Sequence, residues 1–308
     1  MGENINGYTL TCDWRVSGTA QWAYAEKDGR QWFIKRFLSP KYKIAGKGAS
    51  AEAAAKAYKR CESFRKKQEA YYAQIRLSDT GNVVCVTDFF SFGTEFYAVS
   101  PRIEMAKIPL TEVARLPHDK KLVLLKVLTY SLKKLHGNGV VHADLKPTNI
   151  ILKKTKTGGY TLKLIDFEAG FLLKDPRRGR DIVYDQNYVA PETLVATENP
   201  AIMLNDKIDV FALGLLFYQY YTGKDPALTG DCSMPGEALL CEQEIRLDAP
   251  LPGWLRELIQ QMIQLEREDR PTVAEVFQCL QEERRPSKII IPDEGDPSEM
   301  GFKPIRFL

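Results

Sequence analysis

Between residues 8 and about 37, short β-prone runs alternate with turn signals. Asp28-Gly29 separates Trp22-Ala-Tyr-Ala25 from Trp32-Phe-Ile-Lys-Arg-Phe37, a pattern that predicts a hairpin. From Ser50 to about Leu77 the chain is rich in Ala, Lys and Glu and has no Pro or Gly, which predicts one long helix. Asp79-Thr-Gly-Asn82 ends it. Val83-Val-Cys-Val86 and Glu95-Phe-Tyr-Ala-Val99 then read as two further strands. Past Pro101 the chain turns helical, and Leu122 to Leu135 carries apolar residues at helical spacing, ending at Gly137-Asn-Gly139. Val140-Val141 and Asn149-Ile-Ile-Leu152 flank a tight polar loop, and Thr161-Leu-Lys-Leu-Ile165 reads as a buried strand. After Ala190-Pro191 the rest is expected to be helical, at about 206–221, 253–264 and 272–283. A strand-rich first third before a helical remainder predicts an α+β chain of two lobes, 1–100 and 101–285, with a crevice between them. From Arg284 the composition shifts to Pro, Ser, Asp and Glu, so 286–308 is expected to be an extended tail.

Composition narrows the classes of function. With 308 residues, 44% hydrophobic and 27% charged, the chain has the make-up of an ordinary soluble protein with room for two lobes. A net charge of +3 gives no argument for nucleic acid, and no apolar run approaches the roughly 18 residues that span a bilayer. The opening Met1–Gly7 lacks the apolar core of a signal peptide, and the acidic residue after Gly2 argues against a lipid anchor. Six scattered cysteines, with no Cys-x-x-Cys pair, suggest reduced thiols in a cytoplasmic protein.

The densest chemistry is His142-Ala-Asp144-Leu-Lys146-Pro-Thr-Asn149. Phosphoryl transfer to a hydroxyl requires these groups in one loop. A carboxylate takes or orients the hydroxyl proton, a cation neutralises the moving phosphoryl group, and an amide oxygen binds Mg²⁺. Seventeen residues past Asn149, Leu164-Ile165-Asp166-Phe167 places a second carboxylate at the end of an apolar strand, where a further metal ligand belongs. Tyr188-Val-Ala-Pro-Glu192, Asp209-Val-Phe-Ala-Leu-Gly214 and Asp269-Arg270-Pro271 follow in order.

Taken together, these segments resemble those of the eukaryotic-type serine/threonine protein kinases over about residues 8 to 283. The resemblance implies a bilobal fold: a small antiparallel sheet with one long helix, then a larger, mainly helical lobe. It implies ATP and Mg²⁺ as cofactors and a protein substrate, with Lys146-Pro147 favouring Ser or Thr as acceptor. A regulatory protein partner is also within its scope. By that pattern Asp144 and Lys146 are catalytic, Asn149 and Asp166 hold metal, and Lys35 holds the α- and β-phosphates. Lys35 should pair with a carboxylate on the long helix; of Glu52, Glu62 and Glu69, spacing back from Val83 favours Glu69 over Glu62. The nucleotide-binding set is Gly18, Ala20, Lys35, Ser100 as gatekeeper, the backbone of Ile103 in the hinge, and Ile151. Glu192 should pair with Arg270, and Asp209 should cap the backbone of the catalytic loop. Nine basic residues from Lys41 to Lys67 are read as a solvated face.

Four departures from the pattern bear on function. The phosphate-covering loop Arg15-Val-Ser17-Gly18-Thr-Ala20 keeps only Gly18, out of register. Bulky Trp22 and Phe33 stand where the family has small or aliphatic residues above adenine. Glu168 replaces the Gly after Asp166-Phe167. Ala143 replaces the Arg that normally receives an activation-segment phosphate, and residues 166–192 hold no Ser or Thr, only Tyr184 and Tyr188. These two absences agree and predict activity without activation-segment phosphorylation. Arg177, Arg178 and Arg180 are expected to be solvated, or available to an acidic substrate or to Asp181. Asp185 stands where Thr is expected, which weakens the case for a peptide Ser or Thr. Two other readings remain: a pseudokinase scaffold with an occluded adenine site, and a small-molecule kinase, which Ile165-Asp-Phe-Glu168 resembles.

Overall fold

A computed structural model describes residues 2–17, 20–46, 49–103, 108–154 and 160–283. Gly18 and the 286–308 tail lie outside the described residues. The chain divides into two units: Met1–Asp79 with Val84–Glu104, and Thr80–Val83 with Met105–Leu308.

In the first unit the strands are β1 (Asn4–Ile5), β2 (Tyr8–Leu10), β3 (Arg15–Ser17), β4 (Ala20–Lys27), β5 (Arg30–Phe37), β6 (Asp88–Phe92) and β7 (Glu95–Pro101), with α1 at Ala51–Ser78. The described strands form one antiparallel sheet in the order β1-β2-β4-β5-β7-β6, with β3 paired to β4. The expected hairpin is present: Lys27 faces Arg30, and Asp28 and Gly29 take φ of 52° and 69°, the left-handed values of a tight primed turn. Side chains alternate across β5. Ile34 points to the face where Ile5, Tyr8, Leu10, Ala23, Ala25, Tyr97 and Val99 form an apolar cluster. Phe33, Lys35 and Phe37 share the other face with their cross-strand partners Tyr24, Trp22, Ser100 and Ala98. Helix α1 packs on that second face, with Phe64 against Phe37 and Phe96 (5.3 and 5.2 Å between ring centroids) and Tyr72 against Phe89 (5.4 Å). Its start is fixed locally, since Ser50 caps it by accepting from the Ala53 N–H at 3.1 Å.

One expected strand is absent. Of Val83–Val86, only Val83 makes a β-bridge, a parallel one to Leu164. Asn82 bonds within its own, second unit: its amide donates to Leu162 O at 2.7 Å and its carbonyl accepts from the Leu164 N–H at 2.8 Å. Pairing with β7 begins later, at Asp88 opposite Val99, so the strand is the aromatic Asp88–Phe92 run.

The second unit contains α2 (Leu110–Ala114), α3 (His118–Gly137), β8 (Val140–Val141), β9 (Ile150–Lys154), β10 (Tyr160–Leu164), β11 (Phe171–Leu172) and α4 (Pro191–Glu198). Then come α5 (Lys207–Thr222), β12 (Ala227–Leu228), α6 (Pro235–Leu240), β13 (Ile245–Arg246), α7 (Gly253–Met262) and α8 (Val273–Glu282). The expected all-helical stretch is thus interrupted by the small β12–β13 pair. Every residue of α5 from Ile208 to Tyr221 is buried, as befits a helix apolar on all sides. Gly214 permits the close packing of α5 on α7, since a Cβ there would lie 2.8 Å from Ile263 Cγ2. A Thr272–Glu275 capping box starts α8. No helix among the described residues is long and apolar enough to cross a membrane.

Candidate active site

The loop between β8 and β9 is shaped by one buried carboxylate. Asp209, in the first turn of α5 and 1% exposed, accepts from the backbone N–H groups of His142 and Ala143, each at 2.8 Å. His136 Nε2 meets the same carboxylate at 2.9 Å. Burial penalises the charge on Asp209, but the His136 contact and these amides hold its carboxyl below the ordinary range. The expected capping role is therefore realised. It holds Ala143 at φ 61°, a left-handed conformation unfavourable for alanine, and this reversal turns the chain toward Asp144.

His142 links the two acidic segments. Its Nε2 is 3.1 Å from Ile165 O, which can only accept, while Nδ1 takes the Asp144 N–H at 3.3 Å; the tautomer is thereby fixed with the proton on Nε2. The His142 ring packs on Phe167 at 4.7 Å between centroids. Ile165 N–H donates to Asn149 O at 3.0 Å, so the segment that ends in Asp166 is sewn to the residue expected to share its metal. Asp166 takes φ 59°, a conformation that Asp tolerates better than most residues.

Around Asp144 the polar groups converge. Asn149 Nδ2 donates to Asp144 Oδ2 at 2.7 Å and to Asp144 O at 2.8 Å, so the amide nitrogen is the end turned to Asp144. Lys146 Nζ lies 2.9 Å from Asp144 Oδ2 and 3.3 Å from Asp185 Oδ2. Burial works against the Lys146 charge, but the two carboxylates outweigh it and raise the ammonium pKa above that of ordinary lysine. Asp185, where the family pattern has Thr, is thus an ionic partner of the loop lysine. An amide oxygen and carboxylates are hard donors that suit Mg²⁺, so the residues present fit that ion.

The segment after Asp166 is wired internally, and of the expected alternatives for Arg177 the structure realises the one with Asp181, through its backbone carbonyl. Arg177 donates to three backbone carbonyls: Glu168 O, Gly170 O (3.3 Å) and Asp181 O (3.3 Å). Downstream, the Tyr188 hydroxyl donates to Gln219 Oε1 at 2.8 Å, and burial pushes its pKa up. Glu192 and Arg270 form the expected bidentate pair, both N–O distances being 2.8 Å, with Arg270 fully buried.

In the first unit, Lys35 lies half-buried on β5, flanked across the sheet by Trp22 and Ala98. Phe33 is stacked on Trp22 at 5.4 Å, and Tyr24 meets both rings edge-on, all on the Lys35 face. The Arg102 guanidinium covers Tyr24 at 4.0 Å. Phe33 pairs with Ser100, Ala20 is fully buried opposite Phe37, and Ile103 follows β7. In the second unit Ile151 is buried on β9, opposite Lys163.

The helix partner expected for Lys35 is not on the sheet-facing stripe of α1. Glu69 is half exposed (51%) and lies 3.8 Å from Arg65; Glu62 accepts from the Tyr42 hydroxyl at 2.8 Å and also pairs with Arg65. The stripe runs through Cys61, Phe64, Tyr71, Tyr72 and Ile75, and the residue one turn from both Phe64 and Tyr72 is Gln68. Counting back from Val83 favoured Glu69, but Val83 does not begin a strand.

Comparison with known proteins agrees with this architecture. The protein kinase domain model matches residues 40–280, and the chain belongs to that family. The match begins after β5, so Lys35 and the phosphate-covering loop lie outside it. The chain is 26% identical to sperm motility kinase 2B of Mus musculus over 205 residues, 66% of this chain and 40% of that protein. It is 24% identical to ribosomal protein S6 kinase alpha-6 of Homo sapiens, covering 70% of this chain and 30% of that protein. It is 25% identical to serine/threonine-protein kinase ULK1 of Homo sapiens, covering 64% of this chain and 19% of that protein. The chain therefore spans well under half the length of these curated relatives.

Proposed function

We propose that this chain is an ATP-dependent serine/threonine protein kinase that works without phosphorylation of its activation segment. The observation that carries the reading is the convergence of Lys146 and Asn149 on Asp144 Oδ2. Asp144 orients the acceptor hydroxyl and receives its proton, and Lys146 offsets charge on the transferred group. Asn149 and Asp166 would hold Mg²⁺, which when bound neutralises charge on the phosphate oxygens. Lys35 is assigned to the α- and β-phosphates. Ala20, Ser100, Ile103, Ile151 and the Gly18 segment are assigned to the rest of the nucleotide.

The three carbonyl bonds of Arg177 support independence from phosphorylation. They tie Glu168, Gly170 and Asp181 together from within the segment, the ordering that a phosphate received by an arginine supplies elsewhere. Broad phosphatase treatment of purified protein is expected to leave the transfer rate of labelled ATP unchanged, whereas Arg177→Gln lowers it roughly tenfold by loosening the segment. A large loss on phosphatase treatment, restored by rephosphorylation at Tyr184, would refute the phosphorylation-independent part.

On the helix we assign the position facing the Lys35 sheet to Gln68 rather than to a carboxylate. Glu69→Gln is then expected to change turnover less than about twofold, and Gln68→Ala to cost more, about the value of one hydrogen bond or several-fold in rate. Steady-state kinetics of the two variants decide it; a severe defect in Glu69→Gln alone would restore Glu69 to the role.

The Phe33–Trp22 stack favours one second reading, a scaffold whose adenine site is filled by its own side chains. Thermal-shift titration with Mg-ATP separates the two, because a ligand that binds only the folded state raises its stability. No shift at millimolar Mg-ATP would favour the scaffold.

A further inference from the structure

The β12–β13 pair brings two distant cysteines together. Leu228 lies opposite Ile245, and the ladder continues as Thr229 N–H donates to Glu244 O at 3.0 Å and Glu244 N–H to Thr229 Oγ1 at 2.7 Å. One step on, the Gln243 carboxamide lies over Gly230, where a Cβ would come within 2.6 Å, and its oxygen takes the Cys232 N–H at 3.4 Å. This registration sets the loop before α6 beside the turn after it. Counted on along the same register, Cys232 falls opposite Cys241, with Cys241 exposed and Cys232 partly so. The other cysteines lie elsewhere: Cys61 and Cys279 are buried, Cys12 Sγ accepts the Tyr24 N–H, and Cys85 lies near Ile75 O.

We propose that Cys232 and Cys241 form a reversible oxidation site that closes to a disulfide on exposure to a hydroperoxide. The two thiols have different roles. Burial raises the Cys232 pKa, and nearby Cys241, Glu237 and Asp231 raise it further, which makes its thiol a poorer nucleophile. The exposed Cys241 is the sulfur that meets the oxidant. Its thiolate attacks a peroxide oxygen: an S–O bond forms, the O–O bond breaks, and the departing oxide leaves as water or an alcohol after taking up a proton. The Cys232 sulfur then attacks the resulting sulfenic acid; the S–S bond forms, and hydroxide leaves with the Cys232 proton as water. The thiol pair loses two electrons and the peroxide gains them; a dithiol reductant reverses the change. The bridge would join the two ends of α6, whose Gly236 lies against the chain just after Tyr188. A Cβ at Gly236 would come within 2.5 Å of Val189 O and 2.9 Å of Ala190 C.

The test uses the full chain, reduced, freed of reductant, pulsed with hydrogen peroxide, then denatured and alkylated. The alkylated thiols should fall from six to four. Both cysteines lie in one tryptic peptide, 225–246, which should appear two hydrogens lighter and recover after dithiothreitol. Cys232→Ser should leave Cys241 as a sulfenic acid trapped by dimedone. Cys241→Ser should lower peroxide consumption at this peptide about tenfold or more, because the remaining thiol is less exposed and its pKa is raised. Persistence of all six thiols under peroxide that oxidises a small dithiol, or a bridge to any other cysteine, would overturn the proposal.

Discussion

Asp166→Asn is expected to lower phosphoryl transfer by about 10³-fold or more while leaving the fold intact. The side chain follows β10 at φ 59°, a left-handed conformation that Asn adopts as readily as Asp, so the substitution imposes no backbone strain. The Ile165–Asn149 backbone bond and the His142–Phe167 contact, which position the segment, involve neither carboxylate oxygen of Asp166. What is lost is negative charge at the position proposed to hold a divalent ion, an interaction that matters most when charge moves onto the phosphate oxygens. Labelled-ATP turnover, read beside a circular-dichroism melt, checks both halves. Near wild-type turnover would remove Asp166 from the metal assignment.

The largest expected effect on stability comes from Arg270→Met. The guanidinium is fully buried and lies 5.0 Å from the Phe211 ring centroid. Besides Glu192 it serves Gln264 O at 2.8 Å, Leu265 O at 2.9 Å and Lys207 O at 3.2 Å. Removing it leaves a mostly buried carboxylate unpaired, together with three carbonyls. Breaking such a pair from one side costs about 3–5 kcal/mol. A drop in melting temperature on the order of 10 °C should follow. The double variant Arg270→Met with Glu192→Leu should recover part of the loss, because the stranded charge is gone. Chemical denaturation of the three proteins measures this. A single variant within about 1 kcal/mol of wild type would show that the pair carries little stability.

Much of this protein is settled by local sequence. The Asp28-Gly29 turn, the Ser50 cap and the continuous apolar run of α5 declare their elements, because each depends on neighbours a few residues away. The order and spacing of Asp144, Lys146, Asn149 and Asp166 made the family resemblance legible. Glu192–Arg270 and the capping by Asp209 followed from that resemblance, and the structure realises both. Other features were decided only when distant segments packed. Val83–Val86 has the composition of a strand, but Asn82 spends its hydrogen bonds on β10 and the pairing moves to Asp88. The outward turn of Glu69 depends on which stripe of α1 the rings of Phe37, Phe89 and Phe96 accept, and three acidic residues along a polar helix cannot announce it. Arg177 has the look of one basic residue among several until the fold curls its segment so that three carbonyls face the guanidinium. Cys232 likewise falls opposite Cys241 only because β12 and β13 pair in one register. Side-chain chemistry and local conformation are written along the chain; which groups meet is fixed by packing between segments far apart in it.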